Sequence, residues 1–387
     1  MQIDMESRQL LLTNGRLVLP DRVWPQASML LVNGLIADII DDNSLGEKHD
    51  RNCLNYDRVD LQGDLIIPGL IDLHVHGCGG ADVMDEQPLA LTDVATALLR
   101  QGTTAFLATT MTAPAVNLDA AISKTIDAHS ANCVAECLGF HLEGPNLSAR
   151  YRGAQKVNEG TAIPTINSQV RLITFAPELP ETDVYYPLAE QQGLVLSVGH
   201  SAATYEQMLS AMERGVRYLT HAFNAMPGIH HRTPGLLTAA LLDPCLTIEL
   251  IADGVHIHPS VLELALRLKS PDNVVLVSDG TRAVGLSDGD YELGGQMTHL
   301  TDGKLTLDDG TIAGSAKPLL DGVKMVARTL RRPLYEAVRM ATLNPARIVK
   351  VDHRLGSLTI GKEATFLRLD AELQLKQVWL RGCLAIK

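Results

Sequence analysis

The segment LIDLHVH, residues 70–76, is a short apolar run that ends in two histidines. Seven similar runs follow it, and consecutive runs begin 23 to 34 residues apart. The eight runs are LIDLHVH (70–76), TAFLATT (104–110), CLGFHLE (137–143), RLITFAPE (171–178), LVLSVGH (194–200), RYLTHAF (217–223), TIELIAD (247–253) and NVVLVSD (273–279). Several of the intervening stretches have a helical pattern; in one of them, Thr204 and Gln207 form a capping box. Eight strand–helix units in series predict an α/β fold, a (β/α)8 TIM-like barrel.

The two ends of the chain have a different pattern. Residues 1–66 contain apolar runs interrupted by Asn-Gly steps at Asn14–Gly15 and Asn33–Gly34. Such steps favour the positive φ angles of tight hairpin turns, which predicts antiparallel strands. Residues 353–387 return to the same style. We therefore predict a small β-sandwich domain built from both termini, 1–66 and 353–387, beside a barrel domain of residues 67–352.

Composition and charge argue against several classes of protein. Of the 387 residues, 46% are apolar and 20% are charged, which predicts a packed core rather than general disorder. The net charge of −12 comes without a basic cluster, so we expect no nucleic-acid or membrane partner. The N-terminal segment lacks the apolar core of a signal peptide, and no apolar run approaches the roughly 18 residues that span a bilayer. The six cysteines form no CxxC pair, so we expect reduced thiols and a cytoplasmic location.

Many of the eight runs end in side chains that can take part in chemistry. In a (β/α)8 barrel the C-terminal ends of all strands converge on one face, where catalysis takes place. The residues at these ends are His74, His76, Thr109, Thr110, Glu143, Glu178, His200, His221, Asp253 and Asp279. We therefore predict that distant segments bring these side chains to one polar site at the mouth of the barrel.

Histidines and one glutamate in this set predict a metal site. His74 and His76 lie at i and i+2 of one strand, so their imidazoles point to the same side and can hold one ion. Glu143, His200 and His221 add ligands of the kind that Zn²⁺ and Fe²⁺ accept. We expect one or two divalent ions at this end of the barrel.

Asp279 closes the eighth run, in the segment VSDG. A carboxylate beside a metal-activated water can accept a proton and later deliver it to a departing amine. The alternative is an aspartate that only caps the following loop. His141, two residues before Glu143, faces the same way but deeper, and we expect it to support the site rather than to bind the metal.

Eight segments, in this order along the chain, resemble the N-acetylglucosamine-6-phosphate deacetylases of the amidohydrolase superfamily. They are PGLIDLHVHG, HLEGPNLS, GHSAATYEQ, THAFNAM, HHRTPG, ELIADGVHIHP, VSDG and NPAR. The His-x-His motif is shared across the superfamily, whereas THAFNAM followed by HHRTPG and IADGVHIHP is specific to this branch. The resemblance covers nearly the whole chain, including the split β domain.

This resemblance implies roles for particular residues. Glu143, His200 and His221 match the main metal site, and Asp279 matches the catalytic acid–base. The residues that match substrate contacts are Ala154, Asn224, Ala225, Arg232, His256, Ile312, Ala313 and Gly314. The planar fork of Arg232 suits a phosphate group, although it could also be a solvated loop arginine. Gln155 stands where some members carry a histidine.

The resemblance also implies the reaction. We expect hydrolysis of N-acetyl-D-glucosamine 6-phosphate to D-glucosamine 6-phosphate and acetate. The same chemistry on N-acetyl-D-galactosamine 6-phosphate is an alternative, since the two sugars differ in the configuration of one hydroxyl. More distant alternatives are hydrolysis of a cyclic amide or another acylated amine, and a regulator that binds sugar phosphates without catalysis. We expect the chain to form a homodimer.

Overall fold

A computed structural model describes residues 9–42, 56–126, 133–156 and 163–387. The residues outside these ranges include Cys53 and the first eight positions of the chain. In chain order the strands are β1 Gln9–Val18, β2 Val23–Val32, β3 Leu35–Asp41, β4 Asp57–Asp60, β5 Leu65–Pro68, β6 Leu70–Val75, β7 Gly77–Cys78, β8 Ala81–Asp82, β9 Thr103–Thr110, β10 Glu136–Glu143, β11 Val170–Phe175, β12 Val195–Val198, β13 Tyr218–Leu219, β14 Thr247–Ile251, β15 Val274–Val277, β16 Gly289–Leu293, β17 Gln296–Thr301, β18 Lys304–Thr306, β19 Phe366–Leu369, β20 Leu375–Leu380 and β21 Cys383–Ile386.

Helices connect many of these strands. The α-helices are α1 Ala90–Arg100, α2 Ala115–Ile122, α3 Tyr185–Gln192, α4 Tyr205–Glu213, α5 Gly235–Leu242, α6 Pro259–Leu268, α7 Leu319–Lys324, α8 Leu334–Met340 and α9 Leu343–Ile348. The predicted capping box is present, since the Thr204 side chain accepts from Gln207 N and the Gln207 side chain binds the Thr204 backbone. Within the described ranges, none of the helices has the length and apolar character needed to cross a membrane.

Eight parallel strands form the barrel, in the order β6–β9–β10–β11–β12–β13–β14–β15. Each of them lies at one of the eight runs quoted above, so the predicted barrel is confirmed. All residues of β6 and β9 are buried, as expected for strands that are covered on both faces.

The first and last strands of the barrel are joined just beyond their regular pairing. Val75 forms a bridge to Gly280, and His76 N donates to Gly280 O at 2.7 Å. Asp279 N donates to His74 O at 2.9 Å. These bonds close the ring of strands, and they place the His-x-His segment directly beside Asp279.

Both ends of the chain contribute to a second sheet, in the order β21–β20–β19–β5–β1–β2–β3, with β4 beside β1. The strands form one continuous sheet, mostly antiparallel, although β1 pairs in parallel with β4 and β5. Residues of this sheet, among them Leu12, Met29, Phe366 and Trp379, form an apolar cluster that is separate from the main core. The extra sheet from the termini is therefore confirmed, while the domain boundaries proposed above stay a prediction.

Only one of the two Asn-Gly steps is a hairpin turn. Asn33 and Gly34 have φ of 52° and 77° and connect β2 to β3. The turn predicted at Asn14–Gly15 is wrong, because β1 continues through it and pairs with β2 on both sides. Asn14 has φ of 56°, and the register shifts on either side of Gly15, so this step is a bulge.

A third sheet, β16–β17–β18, follows the barrel's last strand and was not among the expectations from sequence. Its strands are antiparallel and joined by tight turns at Gly294–Gly295 and Asp302–Gly303. The amide of Gln296 donates to Ala154 O at 2.7 Å. This contact ties the sheet to the loop after β10, at the mouth of the barrel.

An ion pair ties the two ends of the chain together, and it can be tested. Arg368 Nε donates to Asp64 Oδ2 at 2.6 Å, and both side chains are nearly buried. Asp64→Ala leaves the guanidinium of Arg368 with its bond to Leu61 O but without a carboxylate, which should lower the free energy of unfolding by about 3 kcal/mol. Lys376 pairs with the same carboxylate but is 41% exposed, so Lys376→Ala should cost no more than about 1 kcal/mol. Urea denaturation measures both; equal small losses would contradict the expectation.

Candidate metal centre and active site

A cavity of about 240 Å³ opens at the C-terminal ends of the barrel strands. The strand-end prediction holds in part: His76, Glu143, His200, His221 and Asp279 line the cavity, whereas His74, Thr109, Thr110, Glu178 and Asp253 do not. The predicted residues among its lining are His76, Glu143, Ala154, His200, His221, Asn224, Ala225, His256, Asp279, Ile312 and Gly314. Met111, Gly153, Gln155, Leu293 and Thr311 complete it.

Glu143, at the end of β10, lies at the centre of the site. Its Oε1 is 3.0 Å from His200 Nε2 and 3.0 Å from His221 Nε2, and these two nitrogens are 3.0 Å apart. Bonds of about 2.0–2.1 Å in tetrahedral geometry would put two such ligand atoms roughly 3.3 Å apart. The three atoms therefore fit one divalent ion after a small outward shift.

His74 and His76 approach the same carboxylate. His74 Nε2 is 3.4 Å from Glu143 Oε1, and His76 Nε2 is 3.3 Å from Glu143 Oε2. Both nitrogens are 3.4 Å from Asp279 Oδ1. His74 Nε2 is buried and has no hydrogen-bond partner among the described residues. The donor set fits a second ion, with Glu143 shared between the two positions.

Charge balance in this buried site depends on its histidines. Burial alone would raise the pKa of Glu143, but the charges of His74 and His200 hold it well below its usual range. Burial would also raise the pKa of Asp279, which the charge of His74 and the hydrogen bond from His76 lower to about 2. Both carboxylates are therefore ionised, and a bound cation would be stabilised by the same negative charge.

Three of the candidate site residues have unusual backbone angles where their strands give way to loops. His200, His221 and Asp279 have φ of 48°, 27° and 50°, in the region that side-chain-bearing residues rarely adopt. A side chain at Gly199 would meet Thr174 Cγ2 at 2.7 Å, so the chain passes close to its neighbours there. Such strain persists only where surrounding contacts determine it, and it is concentrated at functional sites.

Gln155 has a role that the sequence left undefined. Its Oε1 accepts from Thr112 N at 2.7 Å, which orients the amide. Its Nε2 then donates to Glu143 Oε2.

His141 is buried beneath the candidate ligands, and its two ring nitrogens are hydrogen-bonded to Leu73 O and Thr174 Oγ1. Burial and the charge of His74 lower its pKa well below the usual range, so it is neutral there.

Sequence reasoning missed Glu249, a fully buried carboxylate in the middle of β14. Its Oε2 lies 3.1 Å from His74 Nδ1 and accepts from His221 N at 3.0 Å. The signal in the sequence is the segment TIELIAD, where the charged Glu249 interrupts a largely apolar strand. It lies in the middle of the strand, whereas the predicted metal ligands all lie at strand ends.

Some of the residues expected to contact the substrate line the cavity, and others do not. Asn224 and Ala225 lie on the loop after β13, Ile312 and Gly314 lie on the segment after β18, and all four line the cavity. Ala313 lies between them but is fully buried and does not line the cavity.

Arg232 is exposed and is not among the residues that line the cavity. Its Nη1 contacts His231 Nε2 at 2.7 Å, and it forms no ion pair with any carboxylate of the described residues. Among the described residues, no carboxylate therefore neutralises the charge of Arg232, and its side chain does not reach the cavity wall.

His256 is held by a neighbouring carboxylate. Its Nδ1 donates to Asp253 Oδ2 at 2.8 Å, and Ser315 Oγ donates to the same oxygen. Burial would lower the pKa of His256, but the hydrogen bond and charge of Asp253 raise it. Since Nδ1 is engaged, Nε2 is the ring nitrogen left to meet a ligand in the cavity.

Comparisons with known proteins agree with this geometry. The amidohydrolase family model matches residues 65–382. An N-acetylglucosamine-6-phosphate deacetylase from Vibrio furnissii is 34% identical, over 94% of this chain and 92% of its own length. An N-acetylgalactosamine-6-phosphate deacetylase from Escherichia coli O157:H7 is 35% identical, over 83% of this chain and 88% of its own. A mutant N-acetyl-D-glucosamine-6-phosphate deacetylase from Mycobacterium smegmatis, solved in complex with N-acetyl-D-glucosamine-6-phosphate, superimposes with a TM-score of 0.87 at 26% identity, covering 98% of this chain and all of the other.

The shared position of Glu143 makes a prediction about metal content. Glu143→Gln removes the charge that both ligand groups use, so its metal affinity should fall by more than the about 10–100-fold that outer partners of a ligand contribute. Elemental analysis and chelator competition on purified protein measure this. His299→Ala is the control, because His299 lies between two exposed aspartates at the surface, away from the cavity. Normal metal binding in Glu143→Gln would refute the site.

Proposed function

We propose that this chain, which belongs to the amidohydrolase family and to its N-acetylglucosamine-6-phosphate deacetylase branch, hydrolyses N-acetyl-D-glucosamine 6-phosphate to D-glucosamine 6-phosphate and acetate. The observation that carries the proposal is the cluster of Glu143, His200 and His221, with Asp279 facing it across one cavity. A regulator that only bound the sugar would have no need of this ligand set or of an ionised aspartate beside it.

The proposed cofactor is a divalent ion, Zn²⁺ or Fe²⁺, at one or two positions per chain. Glu143, His200 and His221 would hold one ion, and His74 and His76, with Glu143, a second. An ion bound there supplies Lewis acidity, which polarises a carbonyl group and makes water more acidic.

Asp279 is the proposed proton carrier. As an ionised carboxylate at the cavity wall, it can take a proton from the attacking water while the new C–O bond forms at the acetyl carbon. It then gives the proton to the sugar nitrogen as the C–N bond breaks, so acetate and a free amine leave. His256, oriented by Asp253, is placed to donate a hydrogen bond from Nε2 to a substrate oxygen.

The remaining contacts are proposed to hold the sugar phosphate. Asn224, Ala225, Ala154, Ile312 and Gly314 all line the cavity. Arg232, on the loop that follows Asn224, is the proposed cation for the phosphate, because it is exposed and its Nη1 contacts only His231 among the described residues. Homodimer formation and a cytoplasmic location stay predictions from the sequence.

A substrate panel tests the reaction directly. Metal-loaded protein should release acetate from N-acetyl-D-glucosamine 6-phosphate with a higher kcat/KM than from the galacto isomer or from other acylated amines. A preference for N-acetyl-D-galactosamine 6-phosphate would replace the proposed substrate with its isomer. Absence of acetate release from all hexosamine phosphates would overturn the proposed function.

The role of Asp279 predicts a variant that binds but does not turn over. Asp279→Asn cannot carry the proton, and general acid–base catalysis is typically worth about 10²–10⁴-fold, so kcat should fall by that order. Substrate binding, measured by calorimetry on the inactive variant, should remain. A variant with near-normal kcat would contradict the assignment.

The proposed phosphate site makes a prediction about substrate preference. Charge-assisted hydrogen bonds contribute roughly 1.5–3 kcal/mol each, so Arg232→Ala should reduce the preference for phosphorylated over unphosphorylated N-acetylglucosamine by about 10–100-fold. Arg267→Ala removes the same charge from helix α6, where Arg267 pairs with Glu263, and is the control for net charge. Equal effects of the two variants on this preference would remove Arg232 from the proposed phosphate site.

A further inference from the structure

Glu249 is buried in the barrel wall under unusual conditions. Its side chain is fully inaccessible to solvent, and it forms no ion pair with a lysine or arginine of the described residues. Burying a carboxylate away from water costs free energy, and an apolar residue of similar size would pack in a barrel strand without that cost. A purely structural role therefore does not account for it.

The contact with His74 determines what that imidazole can do. Glu249 Oε2 lies 3.1 Å from His74 Nδ1, and a carboxylate can only accept, so Nδ1 carries the hydrogen. The other nitrogen, Nε2, then points toward Glu143 and Asp279, 3.4 Å from an oxygen of each. A carboxylate behind a ligating histidine sets both the tautomer and the orientation of the ring.

Glu249 also contacts the loop that carries His221. The same Oε2 accepts from His221 N at 3.0 Å, and Glu249 O accepts from Ala222 N at 2.9 Å. His221 has φ of 27°, an angle that requires outside support. These bonds hold the turn in which His221 Nε2 comes within 3.0 Å of Glu143 Oε1.

We propose that Glu249 is a positioning residue for the metal centre, which holds His74 and His221 in the geometry that binds the ion. One carboxylate thus aligns one histidine from each of the two ligand groups, and both imidazoles approach Oε1 of Glu143. The inference rests on the proposed metal site but not on the identity of the substrate.

Metal affinity is the direct test. The full chain is stripped of metal and titrated with Zn²⁺ against a chromophoric chelator, in parallel with Glu249→Met and Glu249→Gln. Methionine keeps the volume but has no charge and only a weakly accepting sulfur, so we expect a loss of about 10–100-fold in affinity. Glutamine keeps an acceptor oxygen and loses the charge, so it should restore part of that loss.

Thr247→Val is the matched control, because Thr247 is a buried residue of the same strand, two positions away, outside the ligand groups. It should bind Zn²⁺ like the unaltered chain. A second comparison repeats Glu249→Gln in a His74→Ala background. There the loss of metal affinity should be smaller, because the contact between Glu249 and His74 is already absent.

Unchanged affinity in a folded Glu249→Met or Glu249→Gln variant would overturn the proposal. Equal losses from Glu249→Gln with and without His74 would overturn it as well. If the methionine variant does not fold, the glutamine variant and its His74→Ala pair decide the question alone. A chain that binds Zn²⁺ but releases no acetate from any sugar phosphate would contradict the proposed function and leave this affinity test intact.

Discussion

Closure of the barrel between β6 and β15 is the constraint on which the site depends. The bonds from Asp279 N to His74 O and from His76 N to Gly280 O complete the ring of strands. Because they join the backbones of the site residues themselves, they place the imidazoles of His74 and His76 beside the carboxylate of Asp279. A slip of one residue in this register would turn His74 and His76 away from the cavity.

The chemistry of the site follows from burying several carboxylates together. Glu143, Asp279 and Glu249 lie within one shell of histidines, where the effective dielectric constant is low and unpaired charge is costly. Asp72, beneath them, accepts from His74 N and Ser278 N, yet burial raises its pKa to about 6. The arrangement therefore favours positive charge, which imidazolium or a bound divalent ion would supply.

The parts outside the barrel shape access to this centre. The inserted sheet β16–β18 brings Leu293 to the cavity wall and fastens the loop at Ala154 through Gln296. The sheet from the two termini lies apart from the cavity lining, and its bonds between Arg368 and Asp64 join the chain's ends. Stability and substrate access are thus served by different additions to the same barrel.

The sequence by itself determined the eight strands and the polar side chains at their ends, among them Glu143, His200, His221 and Asp279, because apolar runs and the residues that end them are local features. It also predicted the turn at Asn33, but not the bulge at Asn14, where the same dipeptide is held in a strand by pairing on both sides. Only the tertiary structure decided that Glu249 lies behind His74, that Gln155 binds Glu143, and that Arg232 lies outside the cavity lining. These facts depend on which groups meet across the barrel, and contacts between residues 12 to 175 positions apart leave no period in the chain.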